Sequence, residues 1–250
     1  MSGHSKWATI KRKKGKTDAA RGRIFTRLIK EITIAARDGG GDPEINPRLR
    51  TAIATSKGAN MPQENIKKAI QKGTGELPGV SYDEATYEGY GPAGVAILID
   101  TLTDNKNRTV AEIRHLFMKH NGNLGENGCV SWMFDKKGII TVNRDGVDED
   151  TFMEAALEAG ASDIESQEDA FEVSTEPHEL ETVRGELEKG GFTILEAEVQ
   201  RIPQNTVKLN EKQAESMMKL MDAIEDQDDV QLVSANFDID DEILEKLSGE

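Results

Sequence analysis

The chain has 250 residues, a single cysteine and a formal net charge of −15. That length exceeds the usual size of one core, so two or three domains are expected. Cys129 alone excludes an internal disulfide and any multi-cysteine metal site, as suits a reducing compartment. No apolar run approaches the roughly 18 residues of a spanning helix, and the start lacks the apolar core of a secretory signal, which argues against a membrane role.

The charge is sorted by position. Residues 1–73 hold 17 Lys and Arg against 6 Asp and Glu, a net of +11, and residues 74–250 hold 14 against 40, a net of −26. A basic head on an acidic body is the footprint of a chain whose head meets a polyanion. Residues 1–17 carry Lys6, Lys11, Arg12, Lys13, Lys14 and Lys16 with no acid, and Trp7 and Ile10 are their large apolar side chains. Such a segment cannot bury a core and is expected to be mobile when unbound.

A helix signal begins at Thr17, with Ile24, Phe25, Leu28, Ile29, Ile32 and Ala36 at helical spacing and Gly39-Gly40-Gly41 as its end. On a helical wheel Arg23, Arg27, Lys30 and Arg37 fall on the opposite side from this apolar set, predicting a basic outer face. Asn46-Pro47 gives an N-cap and first-turn proline for a second helix that exposes Arg48, Arg50 and Lys57. Pro62 opens a third, through Ile66 and Ile70, closed by Gly73. The breaker-rich stretch 73–79 is the expected hinge.

Further on, residues 94–102 read as a buried strand, Thr109-Val-Ala-Glu112 as a capping box opening a helix, and 128–134 as a second strand. Near the C-terminus Asn210 caps a Met-rich helix that precedes a strand at 230–235. Between them lies a strand–helix–strand–strand–helix–strand unit, the ferredoxin-like order. The expected fold is therefore α+β in three domains. These are a basic helical head at 1–78, a split α/β domain of 79–134 plus 204–241, and an inserted ferredoxin-like domain at 135–203.

The head offers Lys and Arg to phosphates, Trp7 for stacking on a base, and a helix face on which Arg23, Arg27 and Lys30 can straddle a backbone; Arg21 belongs to the same set. No evident recognition helix supports base-specific readout, so backbone and shape recognition of DNA or structured RNA is the more natural inference. A second contact is expected at the turn of Tyr87 and Tyr90 and at the amide-rich loop of Asn105, Lys106, Asn107 and Arg108. Gly89–Gly94 fits the letters of a dinucleotide fingerprint but precedes a strand instead of opening a helix. Gly15-Lys16-Thr17 lacks the earlier glycine of a phosphate loop, and the four histidines have no ligand spacing. No cofactor, metal or small-molecule substrate is implied. The acidic cluster at 225–229 reads as a solvated face, and a hydrolase using it lacks a nucleophile, base or ligand set.

Several stretches together resemble the YebC/PmpR family: Gly3-His-Ser-Lys-Trp7, Arg21-Gly-Arg-Ile-Phe-Thr26, Asn46-Pro-Arg-Leu-Arg50, Tyr87-Glu-Gly-Tyr-Gly-Pro92, Asp104–Glu112 and Gly122-Asn-Leu-Gly125. The resemblance implies a three-domain protein with a helical N-terminal domain and two α/β domains, one inserted in the other. It also implies a bacterial cytosolic protein rather than one with a transit extension, although a basic, acid-poor start also describes a transit peptide. Family members are described as DNA-binding transcriptional regulators, others as ribosome-associated translation factors, and mitochondrial relatives as translational activators of cytochrome c oxidase. The expectation is a non-enzymatic regulator of gene expression whose partner is DNA or, alternatively, rRNA and tRNA on the ribosome.

Overall fold

The computed structural model describes residues 18–248 except residue 168, without the side chains at 18–21, 241, 245 and 248. The fold is α+β: a helical N-terminal domain followed by two α/β domains, one of them ferredoxin-like and inserted in the other. The chain divides into two compact units, residues 132–204 and the remainder.

In the head, α1 (Asp18–Gly39), α2 (Pro47–Gly58) and α3 (Gln63–Gly73) enclose a small core of Ile32, Ala35 and Ala36 from α1, Leu49 and Ala52 from α2, Met61, and Ile66 and Ala69 from α3. The buried amide of Asn46 organises the first turn between helices. Its oxygen accepts from the Leu49 N–H at 3.1 Å, capping α2, and its nitrogen donates to the carbonyls of Ala35 and Gly40, each at 2.8 Å. The crossing of α1 and α3 needs Gly73, where a Cβ would collide with the Thr33 carbonyl and the Ala36 side chain.

The split domain places β1 (Asp83–Tyr90), β2 (Ala96–Thr103) and β9 (Val230–Ala235) side by side, with the two-residue β3 (Asn123–Leu124) at the edge, in the order β3-β1-β2-β9. Helices α4 (Lys106–Lys119) and α7 (Glu211–Glu225) supply Ile113, Phe117, Met217, Met221 and Ile224 to a core with Ile97, Ile99 and Val233. Strands β8 (Val207–Leu209) and β10 (Phe237–Ile239) pair in parallel, and α8 (Asp241–Ser248) follows.

Three local expectations are corrected. Residues 83–90, read only as a turn from Tyr87 on, form a strand that pairs β2 along its whole length, and the turn is confined to 91–95, where Ala93 and Gly94 take φ of 60° and 76°. Residues 128–133 are not a strand, 131–133 forming a 3-10 turn before β4. There the carboxylate of Glu88, itself buried, accepts from the N–H groups of Gly128, Val130 and Ser131 at 2.7–2.8 Å and folds the segment as a loop. Helix α4 starts before the expected capping box, with Asn105 as its cap, which frees the Thr109 hydroxyl for another use.

The inserted unit runs β4 (Phe134–Asn143), α5 (Glu149–Ala159), β5 (Asp163–Ser166), β6 (Ala170–Thr175), α6 (Leu180–Lys189) and β7 (Ile194–Pro203), with sheet order β5-β6-β4-β7. Its two helices cover one sheet face over Ile140, Val142, Phe171 and Val173, where Phe152 stacks on Phe171 at 4.2 Å and meets Phe192 edge-on.

Candidate nucleic-acid interface

Lys6, Trp7, Lys11, Arg12, Lys13, Lys14 and Lys16 lie outside the described residues, as does the side chain of Arg21. The remaining candidates are visible, and most are already engaged with carboxylates or carbonyls of the chain itself.

Lys30 is the clearest departure. Expected on an outer basic face, it is 6% exposed. Its ammonium donates to Asp229 Oδ1 at 2.6 Å and to the carbonyls of Asp228 at 2.8 Å and Leu102 at 3.2 Å, and it stands 5.5 Å from the Tyr82 ring centre. A helical wheel reports which face is polar, not whether that face meets water or an acidic neighbour. Here the neighbour is the segment 225–229, whose expected role as a solvated face is corrected at Asp229, itself 6% exposed.

Asp229 collects four side-chain donors. Besides Lys30, its Oδ2 accepts from Thr109 Oγ1 at 2.7 Å, Thr103 Oγ1 at 3.0 Å and Arg108 Nη2 at 2.7 Å. Burial alone would raise its pKa, but the hydrogen bonds from Lys30, Arg108 and Thr109 outweigh burial and hold the carboxyl well below the usual range. Arg108 also binds Asp104 at 2.7 Å, so this second-contact candidate is an ion-pair hub, and its guanidinium is held protonated by hydrogen bonds to Asp229 and Asp104.

The same strip of α1 continues toward its N-terminus. Arg27 donates to the Glu225 carbonyl, and Arg23 pairs with Asp226 at 3.1 Å. Burial and the nearby Arg23 lower the pKa of Arg27, the signature of a cation partly withdrawn from water. Between these elements a polar cleft of about 430 Å³ is lined by Lys30, Tyr82, Asp104, Arg108, Asp226 and Asp229. Among the described residues no group of three or more His, Cys, Asp or Glu side chains is placed to hold a metal ion.

Arg48 is engaged too, with Glu31 at 2.7 Å and Glu84 at 2.7 Å, while Arg50 is exposed and donates to the carbonyls of Pro43 and Glu44. Asn105 is spent as the α4 cap, and Asn107 is exposed. Tyr87 is half-buried against the core with its hydroxyl 3.4 Å from the Lys106 carbonyl, and Tyr90 donates to the Cys129 carbonyl at 3.0 Å. The structure thus brings Arg23, Arg27, Lys30 and Arg108 to one acidic seam and leaves Arg48, Arg50, Tyr87 and Tyr90 apart from it. Sequence reasoning missed Asp229, Thr103 and Thr109, and no local spacing could have paired position 30 with position 229.

Two family models match most of the chain: the TACO1/YebC N-terminal domain over residues 5–76, and the TACO1/YebC second and third domain over residues 82–237. The chain belongs to the TACO1/YebC family. Among relatives from this family, proteins of Syntrophus aciditrophicus and Geobacter sulfurreducens are 61% and 60% identical over 250 and 247 residues. The alignments cover 100% and 99% of this chain and 100% of each relative, and both are named "probable transcriptional regulatory protein". The crystal structure of a conserved hypothetical protein, Aq1575, from Aquifex aeolicus is similar with a TM-score of 0.84 at 50% identity, over 91% of this chain and 94% of that one. Within this TACO1/YebC chain the inserted domain, residues 135–203, holds 19 Asp and Glu against 6 Lys and Arg. That excess of carboxylates contrasts with the net +11 of residues 1–73.

Proposed function

We propose that this chain is a cytosolic, non-enzymatic regulator of gene expression that holds nucleic acid by its basic head, with DNA as the target in a transcriptional role. The observation that carries the reading is the segregation of charge. Residues 1–73 keep a net charge of +11, and residues 1–17 hold six Lys and Arg with no acid to balance them. The relatives' name supports the transcriptional form.

A second reading, a ribosome-associated factor contacting rRNA or tRNA, rests on the kind of contact available. Lysine point charges and a stacking tryptophan grip a backbone of either nucleic acid, and the head's described arginines are held by ion pairs and carbonyls instead of standing free for bidentate base readout. Sedimentation of cell lysate through sucrose at low and high salt separates the two. Salt-sensitive migration with ribosomal particles that survives DNase favours the ribosomal form. Absence from those particles, with crosslinking to discrete DNA fragments, favours the transcriptional form.

A further inference from the structure

The cations Arg23, Arg27 and Lys30 of α1 are committed to acids and carbonyls of the chain itself. Lys67, Lys68 and Lys72 are exposed on α3. The helix buries Ile66 and Ala69, and at 100° per residue Lys67 and Lys68 fall on the half opposite that pair while Lys72 stands at its edge. Lys67 and Lys72 have no acidic partner among the described residues, and Lys68 has only Glu64 at a loose 3.8 Å. The stem of Lys72 lies over the backbone of Gly79, where an added Cβ would come within 3.2 Å of it, so this side chain is partly fixed. No large exposed hydrophobic residue lies on α3, which disfavours an apolar partner.

Resting on the reading of the head as a nucleic-acid grip, we propose that the outward face of α3, with Lys67, Lys68 and Lys72, is a phosphate-backbone contact surface, and that the Arg23–Arg27–Lys30 face of α1 is not. Neutralising a phosphate releases condensed counterions, so each contact leaves a countable mark on the salt dependence of binding. Three lysines along one helix can follow a backbone without reading bases.

The test uses the full chain, a labelled DNA duplex and a labelled RNA hairpin, with affinity measured across a potassium chloride series. The triple variant Lys67→Ala, Lys68→Ala, Lys72→Ala is expected to flatten the log–log slope by about 2 to 3, at ~0.7–0.9 per lost contact. The matching Lys→Arg triple should restore the slope, as a charge contact allows and a loss of folding does not. Arg23→Ala is expected to leave it unchanged. A triple alanine variant with the wild-type slope, while a Lys11, Arg12, Lys13 and Lys14 alanine variant loses it, overturns this surface and leaves the head's function standing. A wild-type chain that binds neither probe overturns both.

Discussion

At the scale of single residues, Asp229 governs the head's attachment to the split domain. Removing one partner of a buried pair leaves the others uncompensated, so Asp229→Ala is expected to lower stability by about 3–5 kcal/mol, read by denaturant unfolding. Its folded pKa lies below that of the unfolded chain. The stability it contributes is therefore whole above roughly pH 4, the unfolded carboxylate range, and is lost as pH falls below that range toward the folded value. Melting temperatures of wild type and Asp229→Asn should differ most near neutrality and converge on acidification. A gap that stays constant into acid would contradict the buried ion network. None of this was legible locally, because 199 positions separate Lys30 from its partner and the wheel that placed Lys30 outside is blind to what covers a face.

At the scale of elements, the three head helices followed from the sequence because Asn46-Pro47 and Pro62 each mark a helix start, whereas Gly58 and Gly73 are last helical residues, with Ala59 and Thr74 as the C-caps, and Gly73 serves the packing on α1. A further signal was present in α1 and pointed past the wheel. Ile32, Thr33, Ile34, Ala35 and Ala36 are consecutive and all buried, the mark of a helix enclosed on every side. Gly73→Ala tests that enclosure, since its Cβ would strike the backbone of α1; a loss of about 1–3 kcal/mol is expected, and a neutral result would mean that α3 can shift freely. Strand β1 escaped notice because its acids and Gly89 break up any apolar run and its burial rises along the strand instead of alternating. The ferredoxin-like sheet was legible as a topology, but the face turned away from its helices carries Glu165 opposite Glu172 and Glu196 beside Thr141, carboxylates where a base-stacking sheet needs aromatic rings. Placing aromatic residues at Glu172 and Glu198 should therefore leave the full chain's affinity for RNA unchanged while the surrounding acids remain, measurable by gel-shift titration of variant against wild type; a clear gain in affinity would contradict this.

For the whole molecule, the sorting of charge has two uses that the sequence presents as one. Part of the basic head is neutralised internally: Arg23, Lys30 and Arg48 meet Asp226, Asp229 and Glu31. The remaining excess, concentrated in residues 1–17 and on α3, is what the proposed function assigns to nucleic acid. The pI of about 4.8 comes from residues 74–250, whose net charge of −26 outweighs the head's +11, and the internal pairs mean that counting cations along the sequence overstates the number free to meet a phosphate. The most direct measurement is the affinity of the intact chain for duplex DNA and structured RNA as a function of salt. The account predicts a steep log–log slope, about −5 if the six Lys and Arg of residues 1–17 each neutralise one phosphate of duplex DNA and steeper if α3 joins them. Affinity independent of salt, or no binding to either probe, would contradict it.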